Sequence, residues 1–201
     1  MEHTLLRPDA SRADVDAALE TATALGCHAI CVQPYWVAFL RASPMPIVTV
    51  AGFPFGAEPK EVKAAASRRA AEDGASEVDV VINLGALRSG DERAVAADVA
   101  AVRAALAGKT LKCILETGLL ASRELEAAAR ICVAEGADFL KTSSGYGPRG
   151  ATAEDVRFLR RFGRVKASGG IATLAQAAAL LEAGAERLGA SRTREILAAC
   201  A

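Results

Sequence analysis

Asp138-Phe-Leu-Lys-Thr-Ser143, Gly145-Tyr-Gly-Pro-Arg-Gly150, Thr152-Ala-Glu-Asp-Val-Arg-Phe-Leu-Arg-Arg-Phe162 and Arg164-Val-Lys-Ala-Ser168 follow one another along the chain. A short apolar run, a glycine-rich loop, a stretch with helical spacing and a second apolar run predict strand, loop, helix and strand. Thr152 with Asp155 approximates a capping box at the helix start. The alternation continues in both directions. Short apolar runs, each meeting Gly, Ser, Thr, Asn or Pro near its end, stand at 3–6, 29–32, 47–51, 77–83, 111–116, 138–143, 164–168 and 186–190. Ala/Leu/Glu/Arg-rich stretches lie at 12–25, 35–42, 59–73, 91–107, 122–135, 152–162, 173–183 and 192–200. Thr173 with Gln176 completes a capping box and Ser11 with Asp14 approximates one. Ser122 can cap the fifth helix, although Leu125 then stands where an acceptor is wanted. Eight strand–helix units predict an α/β chain with one domain over 1–201, its parallel sheet closed into a (β/α)8 TIM barrel. An open doubly wound sheet is the alternative.

Composition narrows the partners. The 24 Lys+Arg balance 24 Asp+Glu, and the pI is about 6.7, so neither nucleic acid nor an anionic membrane surface is expected. Mean hydropathy is +0.22, yet no run of about 18 apolar residues occurs and the first residues do not resemble a leader. A soluble, cytoplasmic protein is expected. The cysteines at 27, 31, 113, 132 and 200 lie mostly in apolar segments and read as free buried thiols. Alanine supplies 46 of 201 residues, and arginine outnumbers lysine 18 to 6, which makes the position of each lysine informative.

In a barrel, chemistry sits where strands run into the following loops. The polar residues there are Glu2, His3 and Thr4, Cys31, Asp79, Glu116 and Thr117, Lys141 to Ser144, and Lys166. Two of the six lysines, Lys141 and Lys166, fall on consecutive strands among apolar neighbours. Each could simply pair with Asp79 or Glu116 and hold the barrel together. Together they suggest more: an ammonium disfavoured by a second cation and by burial can lose its proton near neutral pH and attack a carbonyl. Asp79 is placed to move protons during such a cycle, directly or through water.

Other motifs carry less. Metal chemistry would want a cluster of His, Asp and Glu, and the chain has only His3 and His28, so no metal is expected. Gly145-Tyr-Gly147-Pro-Arg-Gly150 has the spacing of a dinucleotide fingerprint, but no Asp or Glu occurs between Asp155 and Glu182 to hold a ribose. It reads as a flexible loop, a candidate lid beside Lys141. Phosphate has better support in Gly169-Gly170 after the seventh strand and Gly189-Ala-Ser191 after the eighth, loops that often bind phosphate in barrels.

Seven segments in order resemble the deoxyribose-phosphate aldolases, class I aldolases with a (β/α)8 fold. They are 3–8, 30–34, 50–56, 77–83, 138–145, 165–171 and 187–191. The resemblance implies reversible cleavage of 2-deoxy-D-ribose 5-phosphate to glyceraldehyde 3-phosphate and acetaldehyde, with no cofactor. It implies that Lys141 forms the Schiff base, that Lys166 lowers the nucleophile's pKa and that Asp79 relays protons. Thr142 follows the nucleophile within the matching segment and joins the expected substrate contacts. Cys31 matches a pocket cysteine, and Gly169, Gly170, Gly189 and Ser191 lie in the expected phosphate loops. Glu2 stands where the family usually has Asp, Ala172 where a basic residue is common, and Arg192 where a second serine is common. Arg192 is therefore expected to supply the phosphate charge that Ala172 lacks. A homodimer is the assembly that the resemblance suggests. A barrel acting on another phosphosugar, or one that binds without forming an imine, are the competing readings.

Overall fold

A computed structural model describes residues 1–106 and 108–199. Eight strands, β1 (Glu2–Leu5), β2 (Ala29–Val32), β3 (Ile47–Ala51), β4 (Glu77–Val81), β5 (Thr110–Ile114), β6 (Phe139–Lys141), β7 (Val165–Ser168) and β8 (Arg187–Ala190), pair in parallel in chain order. β8 returns to β1 with Glu2 opposite Gly189, which closes the barrel and excludes the open sheet.

The side-chain period of two explains why closure is stable. Val78 and Val80, Leu111 and Cys113, Leu140, and Val165 and Ala167 join the apolar layer that also holds Val95, Val99, Leu125 and Leu159 from the helices. Their alternates, Glu77, Asp79, Lys112, Lys141 and Lys166, face the other way, into the barrel. On β2 and β3 the inner positions are apolar: Ala29, Cys31, Val48 and Val50 form a separate cluster with Leu6. The lumen thus has an apolar side and a charged side.

The outer layer comprises α1 (Arg12–Ala24), α2 (Lys60–Asp73), α3 (Leu84–Arg88), α4 (Glu92–Ala105), α5 (Ser122–Ala134), α6 (Ala153–Leu159), α7 (Leu174–Glu182) and α8 (Thr193–Ala198). The helix expected at 35–42 is replaced by two 3-10 turns, Pro34–Trp36 and Ala38–Leu40. Pro44 and Pro46 hold the residues before them out of the helical region and donate no amide, so the backbone cannot run on as a helix past residue 42. α3 was not anticipated; Asn83 caps it by accepting from the Ala86 amide at 3.0 Å. The capping boxes at Ser11, Thr152 and Thr173 all form. At α5 the cap is Ala121 rather than Ser122, and Glu124 accepts the Ala121 amide at 2.7 Å. The register moves back one residue because this puts an acceptor, not Leu125, three residues past the cap.

Candidate active site

Three carboxylates and three ammoniums interlock in the charged side of the lumen. Asp79, from the middle of β4, divides its oxygens. Oδ1 accepts from Lys112 Nζ at 2.9 Å, while Oδ2 accepts from Lys141 Nζ at 2.8 Å and Lys166 Nζ at 2.6 Å. Lys166 also donates to Glu2, across the seam where β8 meets β1. Gly189 makes that reach possible, since a Cβ there would lie 3.0 Å from Lys166 Cε. Lys112 Nζ continues the lattice to Glu77 Oε2 at 2.5 Å, and His28 Nε2 lies 3.4 Å from Glu77 Oε1.

Burial alone would raise the Asp79 carboxyl, but Lys112, Lys141 and Lys166 outweigh it and hold the group well below the usual carboxylate range. Burial pulls the Lys166 ammonium down, and the Asp79 and Glu2 carboxylates more than reverse this, so it is held protonated. Lys112 follows the same balance, with Asp79 as its main support. Cys31, on the apolar side, is pushed up to about 11 by desolvation and stays a neutral thiol.

Above this lattice, at the carboxyl end of the strands, opens a cavity of about 580 Å³. Lys141 reaches it from below, being 2% exposed, and Gly169, Gly170, Gly189, Ser191 and Arg192 line it as the sequence suggests. Thr4, Arg7, Ser144, Tyr146 and Ser168 line it as well. Asp79, Lys166 and Glu2 lie beneath its floor. Cys31 and Thr142 are buried and outside its lining; Thr142 Oγ1 instead donates to Ser168 O and accepts from Ser168 N, both at 3.1 Å, tying β6 to β7. Among the described residues no group of three or more His, Cys, Asp or Glu could hold a metal.

The glycine-rich loop after β6 is pinned rather than free. Tyr146 donates its hydroxyl to Leu6 O at 2.9 Å and packs edge-to-face on Phe53, the ring centres 5.4 Å apart. Arg149 grips Asp155 with both guanidinium nitrogens, at 2.5 and 2.9 Å, and Thr117 Oγ1 donates to Asp155 at 3.0 Å. A Cβ at Gly150 would lie 2.2 Å from Gly169 O, so the loop's last glycine permits close contact with the loop after β7. Ser144 donates its amide (3.1 Å) and its hydroxyl to Glu116. Glu116 itself has a left-handed backbone, φ 50°, which costs a non-glycine residue about 1–3 kcal/mol.

The residue that sequence reading missed is Lys112. The signal existed: it is one of six lysines, in a strand, between Leu111 and Cys113, the same context that singled out Lys141 and Lys166.

Fold and site define a (β/α)8 barrel enzyme built around a buried lysine pair. The chain matches the family model described as DeoC/LacD family aldolase over residues 2–199, and it belongs to that family. It is 45% identical over 199 residues to a deoxyribose-phosphate aldolase of Thermus thermophilus, covering 95% of this chain and 90% of the relative. A Lactococcus lactis protein of the same description is 42% identical over 200 residues, with the same coverage of each chain. Among solved structures, "QR15, an Aldolase" superposes with a TM-score of 0.95 at 34% identity, over 100% of this chain and 93% of the other. The deoxyribose phosphate aldolase of Aeropyrum pernix, described as a tetramer, gives 0.92 at 30% identity, over 99% and 88%.

Proposed function

We propose that the protein cleaves 2-deoxy-D-ribose 5-phosphate reversibly to D-glyceraldehyde 3-phosphate and acetaldehyde, with Lys141 as the imine-forming residue. The observation that carries this reading is the position of Lys141: its ammonium opens to the cavity while sharing Asp79 with Lys166. Lys141 Nζ adds to the aldehyde carbon and water leaves. The protonated imine draws in the electron pair of the C2–C3 bond as it breaks, while the C3 hydroxyl gives up its proton. The enamine carbon then takes a proton, and hydrolysis releases acetaldehyde. A protonated imine carries the same single charge as the ammonium it replaces, so the net charge of the cluster, in which Arg187 also lies 3.9 Å from Glu2 and 3.8 Å from Glu77, is preserved. Lys166, fixed as a cation, places a positive charge beside the nucleophile. Asp79 orients both lysines and takes up a proton only in passing, directly or through water.

The phosphate is assigned to the loops after β7 and β8. Gly169 and Gly170 both have positive φ, at 90° and 71°, and form the turn that carries backbone to the cavity. Two arginines line it. Arg7 is held by Asp9 at 2.8 Å and Asp14 at 2.6 Å, whereas Arg192 has no carboxylate within ion-pair distance among the described residues. That leaves Arg192 free to meet the phosphate. We also assign a homo-oligomer and a cytoplasmic location, the latter on the unpaired buried thiols of Cys27, Cys31, Cys113 and Cys132; Cys200 lies outside the described residues. No helix is long and apolar enough to cross a membrane among the described residues.

Borohydride reduction in the presence of acetaldehyde or 2-deoxyribose 5-phosphate, followed by peptide mass spectrometry, tests the reading. A reduced adduct on Lys141 is expected. Bound ligand without an adduct on any lysine would overturn it.

A further inference from the structure

Glu116 plays no part in the lysine lattice, yet it is buried, bears a left-handed backbone and has one carboxylate oxygen, Oε1, without a hydrogen-bond partner. Its other oxygen takes both the amide and the hydroxyl of Ser144. Ser144 Oγ in turn accepts from the Tyr146 amide at 3.0 Å. Gly147 completes the fit, because a Cβ there would stand 2.5 Å from Glu116 Oε1. The far end of Tyr146 is fixed by Leu6 O and Phe53, so its ring forms a wall of the cavity spanning from the β6 loop to the end of β1.

We infer that Glu116 is a positioning residue which, through Ser144, sets the Tyr146 wall and thereby the grip on substrate beyond the two carbons attached at Lys141. This rests on the aldolase reading above. A two-carbon aldehyde joined to Lys141 needs only the floor of the cavity, while a five-carbon sugar whose phosphate is at the loops after β7 and β8 must fill more of the space that Tyr146 bounds. Displacing the wall therefore weakens binding of the long substrate and spares imine formation with the short one, a split that general loosening of the barrel would not produce.

The test compares Glu116→Ala, Glu116→Gln, Ser144→Ala and the double variant Glu116→Ala/Ser144→Ala. Glu116→Ala is expected to raise KM for 2-deoxyribose 5-phosphate about tenfold with kcat within about threefold, and to leave acetaldehyde trapping at the wild-type rate. Glu116→Gln keeps an acceptor for Ser144 and restores most of KM. Ser144→Ala raises KM similarly, and the double variant is no worse than either single change, as expected for one chain of action. Additive effects, an unchanged KM, or parallel loss of acetaldehyde trapping would each overturn the inference. If Glu116→Ala does not fold, Glu116→Asp, which draws the carboxylate back from Ser144, replaces it in the same cycle with Ser144→Ala and the double variant Glu116→Asp/Ser144→Ala. Absence of acetaldehyde trapping in the wild-type protein would instead sink the aldolase reading itself.

Discussion

Lys63 and Lys141 are both buried lysines hydrogen-bonded to a buried aspartate, and of the two it is Lys141 that reaches the cavity at the strand ends. Lys63, on α2 in the outer layer, donates to Asp98 Oδ2 at 2.6 Å and to Val81 O at 2.9 Å. One ammonium serves that carboxylate, and burial leaves the Asp98 carboxyl above its ordinary value, with Lys63 offsetting only part. At Asp79 burial pushes the same way and three ammoniums reverse the sign. Lys63 lines neither the cavity of about 580 Å³ nor the smaller one beside Arg149 and Asp155, whereas Lys141 lines the former. A buried lysine alone is thus no sign of catalysis. Several cations sharing one carboxylate beneath an opening is the distinguishing feature.

The contrast can be broken or sharpened experimentally. Lys141→Met should abolish the reducible adduct and cost about 10⁴-fold or more in kcat, with thermal stability little changed; steady-state rates and mass spectrometry check both. Lys63→Met should do the reverse. It strands Asp98 as a buried unpaired carboxylate, costs about 3–5 kcal/mol in denaturant unfolding, and leaves the adduct intact. Replacing both partners, Lys63→Met with Asp98→Leu, should recover most of that loss. Lys112→Met removes one of the three cations that keep Asp79 ionised, so the Asp79 value rises. Activity that needs the carboxylate is then lost at higher pH, and the acid limb of log kcat/KM moves up by about 1–3 pH units. In the unaltered protein the stability that Asp79 contributes persists above its ordinary value of 3.8, and is lost only as pH falls through its lowered one. The smallest effect is at the rim: Arg192→Ala should raise KM for the phosphorylated sugar about tenfold and leave unphosphorylated deoxyribose unaffected. Equal KM changes for both sugars would remove Arg192 from the phosphate site.

Much of the fold was legible because alternating apolar positions are dictated by burial on strands such as 77–81 and 164–168, where one face meets helices and the other the lumen. What failed was length and register. The segment 35–42 carries helical spacing but is confined by prolines, and the α5 start depends on which residue lets Glu124 reach back. Lys141, Lys166 and Asp79 could be picked out because lysine is scarce and strand interiors exclude unpaired charge. Lys112 met the same criterion, standing in the middle of β5 as Asp79 stands in the middle of β4, and escaped because attention on that strand went to Glu116 and Thr117 at its end. The pinning of the loop at 145–150 was invisible, since it depends on Glu116, Asp155 and Leu6, which are remote from one another in sequence.

The bond from Lys166 to Glu2, passing over Gly189, joins two strands that are not neighbours in the sheet and lie at opposite ends of the chain. A slip of one residue in β7 or in β1 would turn Lys166 or Glu2 outward and leave the site without a cation or a carboxylate. Wrongly shut molecules are therefore silent rather than sluggish. The number of lysines trapped by borohydride becomes a census of correctly closed barrels, and preparations that differ in folding history should differ in how many molecules work, not in how fast each one does.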